Sequence, residues 1–183
     1  MKKIFLQIVL LLTVCSLATA QKYYTKNGNI SFFSKTNMED IKADNNQVLS
    51  VLNVQTGELQ FSVLVKSFHF EKALMEEHFN ENYMESAKYP KASFKGTIAE
   101  VSKVNFTTDG TYPVTVSGDL IMHGVTNKVS TTGKIIVKGG KITGTSVFKV
   151  ALADYKIEVP KLVENNISKT IEITVNSLYD QKM

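Results

Sequence analysis

The 183-residue chain contains no tryptophan, a single cysteine and three prolines, and all 21 of its basic residues are lysine. Without arginine there is no guanidinium fork to grip phosphate or carboxylate in bidentate fashion, and the commonest base-reading contact is missing as well. Nucleic acid is therefore not an expected partner. The lysines are spread along the chain, the pattern of a solvated surface that resists aggregation. Long apolar runs are also scarce. The most extended, residues 4–12, is interrupted by Gln7 and is about half of the roughly 20 residues that a membrane-spanning helix needs. With 43% hydrophobic and 21% charged residues, the composition is that of a folded globular domain, and the length suits one.

The N-terminal run reads as part of a secretory signal peptide over residues 1–20. Lys2 and Lys3 supply a positive start, the apolar stretch follows, and Ala18-Thr19-Ala20 offers a small-residue cleavage site before Gln21. A lipoprotein signal centred on Cys15 is the alternative, although Val14 is bulkier than that processing prefers. Cleavage after Ala20 removes Cys15, and with it any disulfide, thiolate nucleophile or cysteine metal ligand. It leaves 19 lysines against 17 acidic residues. A periplasmic or secreted location follows as an expectation, with no integral membrane span after cleavage and one domain over residues 21–183.

From Gln21 onward the dominant pattern is alternation with a period of two, which marks strands with one buried face. Tyr112, Val114, Val116, Gly118, Leu120 and Met122 alternate with mostly polar residues. The same phase appears at Leu59, Phe61, Val63 and Val65, at Ile142, Gly144, Ser146, Phe148, Val150 and Leu152, and at Ile171, Ile173 and Val175. Turn-forming residues separate the runs, Gly139-Gly140 being the clearest hairpin turn. Strands are expected near 29–35, 47–54, 58–67, 92–101, 112–122, 129–138, 141–152 and 168–177. An antiparallel, up-and-down set of about eight strands closes most simply into a β-barrel, which removes exposed edges and at this size can hold one small ligand.

Residues 71–85 break the pattern. They lack glycine and proline, and Met75, Phe79 and Tyr83 recur every four residues, so an amphipathic helix is expected near one end of the barrel, as a plug or lid. It ends before Tyr89-Pro90, where proline forces extended backbone.

Catalytic and metal chemistry find little support. Only His69, His78 and His123 are present, and none sits in a recognisable nucleophile, phosphate-loop or metal-ligand spacing. Glu76, Glu77 and His78 are adjacent on a helix and point in different directions. No catalytic residue, metal or cofactor is therefore assigned. The aromatic residues on the inward faces are more informative. They either fill the barrel or line a cavity, and the small inward residues Gly96, Gly118, Gly144 and Ser146 leave room for one unless they serve to relieve strand bending.

The segments HFNENYMESAKYPKASFKG (78–96) and SGDLIMHGVT (117–126), followed by Asp154-Tyr155-Lys156-Ile157 and a closing strand near 171–175, resemble the signature of the YceI-like lipid- or polyisoprenoid-binding proteins. Lys156 stands where that family often has glycine. The resemblance covers residues 23–178 and implies a lipocalin-like barrel that holds an apolar isoprenoid-type lipid without catalysis. From strand phase, the expected lining is Phe61, Val63, Val65, Phe94, Val114, Val116, Leu120, Met122 and Phe148, with Phe79 and Tyr83 from the helix. Polar groups such as His69, Tyr83 or His123 are expected at the mouth. Two other readings stand beside this one: a ligand-free envelope interaction or stress module with a filled barrel, and a lipid-modifying enzyme. The oligomeric state is not legible.

Overall fold

The computed structural model describes residues 21–183, and the signal-peptide reading falls on residues outside them. Eight long antiparallel strands form the wall: β1 (Lys22–Lys35), β2 (Asp40–Asn53), β3 (Glu58–Leu64), β5 (Lys91–Ile98), β6 (Gly110–Met122), β7 (Val125–Lys138), β8 (Lys141–Ala151) and β9 (Thr170–Tyr179). Two-residue strands add to it, β4 (His69–Phe70) beside β2 and β10 (Gln181–Lys182) beside β1. Each long strand pairs with the next in the chain, and β9 returns to β1 through Asn29↔Asn176 to Phe33↔Glu172. The result is a closed, lipocalin-like up-and-down barrel.

The turns follow from residues that tolerate left-handed backbone. Gly139 and Gly140 adopt φ of 56° and 76° and join β7 to β8 directly beyond the Lys138↔Lys141 pair, as a two-residue hairpin requires. His123-Gly124 does the same between β6 and β7, at φ of 51° and 73°.

One end of the barrel is packed solid. Leu52, Leu59, Ile98, Val137, Ile142 and Tyr179 are buried together, with Tyr23, Phe106 and Tyr112 over them. Within this floor the Tyr179 hydroxyl meets Ser50 Oγ at 2.8 Å, and Ser50 donates to the Gln60 carbonyl at 3.2 Å. A buried phenol is thereby given a partner, and burial pushes its ionisation well above the usual tyrosine range.

The opposite end carries the helical segment. The expected helix over 71–85 is shorter and of two kinds: α1 (Ala73–His78) passes directly into a π-helical turn at Phe79–Tyr83. The wider turn is closed by the Met84 N–H bonding the Phe79 carbonyl at 2.8 Å. Six residues of α-helix are too few to be stable alone, so tertiary packing holds the segment in place. Phe79 supplies it, with its ring 5.3 Å from Phe32, 5.7 Å from Phe68 and 5.1 Å from Phe70.

Candidate functional site

Between the packed floor and the helix lies a cavity of about 350 Å³, bordered by residues of all eight long strands and by the helical segment. It sits at the lower end of the range of ligand pockets, roughly 300–1,000 Å³. Its walls are mainly aliphatic and aromatic side chains. The empty interior is what separates a carrier-like barrel from a filled one, so the cavity counts against the filled-module reading.

The eleven residues singled out by strand phase and helix periodicity all border this one cavity. Phe61 on β3 and Phe94 on β5 are register partners whose rings stand 6.4 Å apart, and Phe94 also faces Leu120 on β6. Val114 and Val116 lie low on β6, joined to the floor, while Leu120 and Met122 higher on β6 pack toward the cap with Phe148 of β8. Val63 is buried on β3 beside Phe68. Val65 is buried too, although β3 ends at Leu64 and Val65 belongs to the tight helical turn that follows. Phe79 and Tyr83 descend from the cap, and burial raises the Tyr83 phenol above its usual range.

Several lining residues were not singled out. Phe32 on β1 is the hub of the aromatic cluster under the helix, touching Phe68, Phe70 and Phe79. The alternation of Ile30, Phe32 and Ser34 was available as a signal, but the adjacent Phe33 leaves the phase of that strand ambiguous. Ile171, Ile173 and Val175 of β9 also border the cavity, and their alternation was visible.

The polar groups at the mouth differ from expectation. Neither His69 nor His123 borders the cavity, whereas His78 does. His69 pairs with Glu76 on the surface at 3.6 Å. His123 is held structurally: Nδ1 lies 2.9 Å from the Tyr155 carbonyl, Nε2 lies 3.0 Å from Glu85 Oε1, and Tyr89 packs edge-on against the ring. Glu39 reaches the rim, where Asn166 Nδ2 and Lys72 Nζ each donate to it at 3.2 Å. Those two bonds, that from Asn166 first, hold the Glu39 carboxyl below the usual carboxylate range. An ionised carboxylate already committed to two donors is a clasp between the β1–β2 turn, the helix start and the 161–168 loop, not a free general base. Among the described residues no group of three or more histidine, cysteine, aspartate or glutamate side chains comes together to hold a metal.

The small inward residues serve different ends. Gly96 and Gly118 are register partners, and a Cβ on either would strike the facing strand's backbone at 2.4 Å as well as the Phe94 ring, at 2.5 Å and 2.8 Å respectively. They make room for that ring and not for a ligand. Gly144 and Ser146 do border the empty space.

A closed antiparallel barrel around an apolar interior cavity defines the class: a lipocalin-like β-barrel. Within that class the chain belongs to the YceI-like domain family, whose model matches residues 20–177. Among solved structures, it is similar to a polyisoprenoid binding domain from Saccharophagus degradans implicated in plant cell wall breakdown (TM-score 0.75, 18% identity, 87% of this chain and 97% of that one). It is also similar to BcnA from Burkholderia cenocepacia (0.66, 14%, 82% and 95%) and to a YCEI protein from Campylobacter jejuni (0.58, 16%, 75% and 81%). At these identities the likeness is one of fold. No curated protein matches the sequence.

Proposed function

We propose that the protein binds an apolar, isoprenoid-type lipid inside the barrel and sequesters or transports it without chemical change. The observation that carries this reading is the cavity of about 350 Å³ with its apolar walls. Membership of the YceI-like family supports it, as does similarity to a structure described as polyisoprenoid binding. Burial of apolar carbon stabilises by about 0.8 kcal/mol per methylene. About ten enclosed carbons therefore contribute on the order of 8 kcal/mol before association costs are subtracted. Because that contribution is indifferent to tail chemistry, selectivity falls to cavity length and to the polar groups on its border. With residues 1–20 read as a signal peptide, the site of action is the periplasm or the medium outside the cell.

Organic extraction of protein purified from its native host, followed by mass spectrometry, tests the reading. The expected result is a co-purifying isoprenoid-type lipid near one per chain. Protein that comes away empty, and stays empty after exposure to isoprenoid alcohols, contradicts it.

A further inference from the structure

The barrel wall is unevenly closed. β6 and β7 pair from Gly110↔Val137 to Met122↔Val125, and β8 and β9 pair from Ile142↔Tyr179 to Ala151↔Thr170. Between β7 and β8, however, the ladder runs only from Lys138↔Lys141 to Gly133↔Ser146. Both strands continue past that last rung, β7 back to Val125 and β8 on to Ala151. Residues 125–132 and 147–151 therefore face each other across the wall without pairing. At the top this seam is tied by Asn127 Nδ2 donating to the Asp154 carbonyl at 2.6 Å. From Asn127 to Gly133 the strand covers about 20 Å.

The seam coincides with the cavity. Val129 and Thr131 of the unpaired part of β7, and Phe148 and Val150 of β8, border the empty space. The border also takes in Lys134 and Thr145, a register pair outside the inward-facing sets. Val147, on the outer face beside the seam, keeps 55% of its surface exposed. The helix end, by contrast, is bound down by the Glu39 clasp and by the bonds of His123 to Glu85 and Tyr155.

We propose that the seam between β7 and β8 is the portal of the cavity, and that the polar end of the bound lipid rests there against Thr131 and Ser146. This rests on the lipid-binding reading above and assigns the site its head-group class. The two hydroxyl oxygens lie 3.4 Å apart, and both groups donate to the Thr132 carbonyl, at 3.2 Å from Thr131 and 2.8 Å from Ser146. Each hydroxyl keeps lone pairs for an incoming donor and can turn its proton to an incoming acceptor, so a neutral alcohol, which brings one of each, fits the pair.

Two reversible staples test the route, both in the full chain carrying Cys15→Ser. Thr132→Cys/Val147→Cys joins the positions next beyond the last rung and closes the seam, and Glu39→Cys/Asn166→Cys, bridged by a bis-methanethiosulfonate linker that spans the wider gap and is released by reductant, fastens the cap. Uptake of the neutral fluorophore N-phenylnaphthylamine is followed by stopped flow, oxidised and after reduction. The expected result is uptake slowed at least about tenfold by the oxidised seam staple and restored by reductant, with the cap staple having little effect. Slowing by the cap staple alone overturns the portal. An unmodified protein that takes up neither the fluorophore nor farnesol contradicts the lipid-binding reading itself, a separate outcome. For the head group, Thr131→Val/Ser146→Ala is expected to weaken farnesol by about tenfold, as loss of two hydrogen bonds allows. Binding of the matching hydrocarbon farnesane should be unchanged. Equal weakening of both ligands, or of neither, overturns the polar-end assignment.

Discussion

Lys156 occupies a backbone conformation that suits glycine, with φ of 55° at the end of the turn that follows β8. A left-handed non-glycine residue costs roughly 1–2 kcal/mol, and part of that returns to glycine as chain entropy in the unfolded state. Lys156→Gly is therefore expected to stabilise the fold by about 0.5–1 kcal/mol, read as a rise in the denaturant midpoint at constant slope. An unchanged or lower midpoint contradicts the strain. The resemblance drawn from the sequence singled out this position as one for glycine, and the left-handed backbone found there is one that suits glycine. Gly96 and Gly118 show the limit of reading single residues. Both were recognised as inward and small, but the ring that fills their space comes from Phe94, two residues from Gly96 along β5 and across the ladder from Gly118's neighbour Leu120. That side chain's direction is not written in the alternation.

At the scale of elements, the strand runs with clean alternation were legible nearly to their ends, whereas the first halves of β1 and β2 were not. The reason is physical. Register shifts between Thr25 and Gly28 and again between Gly28 and Ile30 break the period of two. The opposing stretch of β2 buries Asn45 completely, where its side chain donates to the Leu64 carbonyl at 3.0 Å and accepts from the Gln47 N–H at 2.9 Å. A buried asparagine reads as surface in a sequence. The helix was legible from its apolar repeat of four residues, but its change to a π turn was not, because Met75, Phe79 and Tyr83 keep facing the cavity through both.

The cap around that helix is tied by two carboxylates, and this gives it a pH dependence. Glu39 is held below its usual range chiefly by the Asn166 bond, and Glu85 chiefly by the His123 bond. A carboxylate depressed in the folded state contributes stability above its unfolded pKa, about 4.3 for glutamate, and loses it as pH falls through the folded value. Acid is thus expected to loosen the cap before the barrel. Hydrogen exchange at pH 7 and near pH 3, corrected for intrinsic rate, should show residues 83–89 and 152–168 losing protection relative to β6 and β7. Equal retention of protection in both regions contradicts the clasp.

For the whole molecule, closure of the barrel followed from the number of strands and the need to leave no long edge. The empty interior did not follow, since the same inward faces serve a filled or a hollow barrel. Which holds depends on how far the side chains reach across the lumen. Here the floor is filled by Tyr179, Leu52 and Ile142, and the cap by four phenylalanines, while the middle stays open. The phase of the eight lining residues on β3, β5, β6 and β8 could be read from sequence because no register shift intervenes on those strands. The missing rungs between β7 and β8 could not, because both strands keep their alternation past the point where they part.

The most direct test of the hollow, lipid-holding barrel is calorimetric titration of the delipidated protein with farnesol at several temperatures, beside Leu120→Trp, which places an indole against the cavity. The account expects saturation near one ligand per chain and a negative heat-capacity change, the mark of apolar surface leaving water. It also expects binding at least about tenfold weaker in a variant that still folds, as loss of that burial implies. Saturable binding undiminished in folded Leu120→Trp, or no saturable heat at all in the unsubstituted protein, would contradict it.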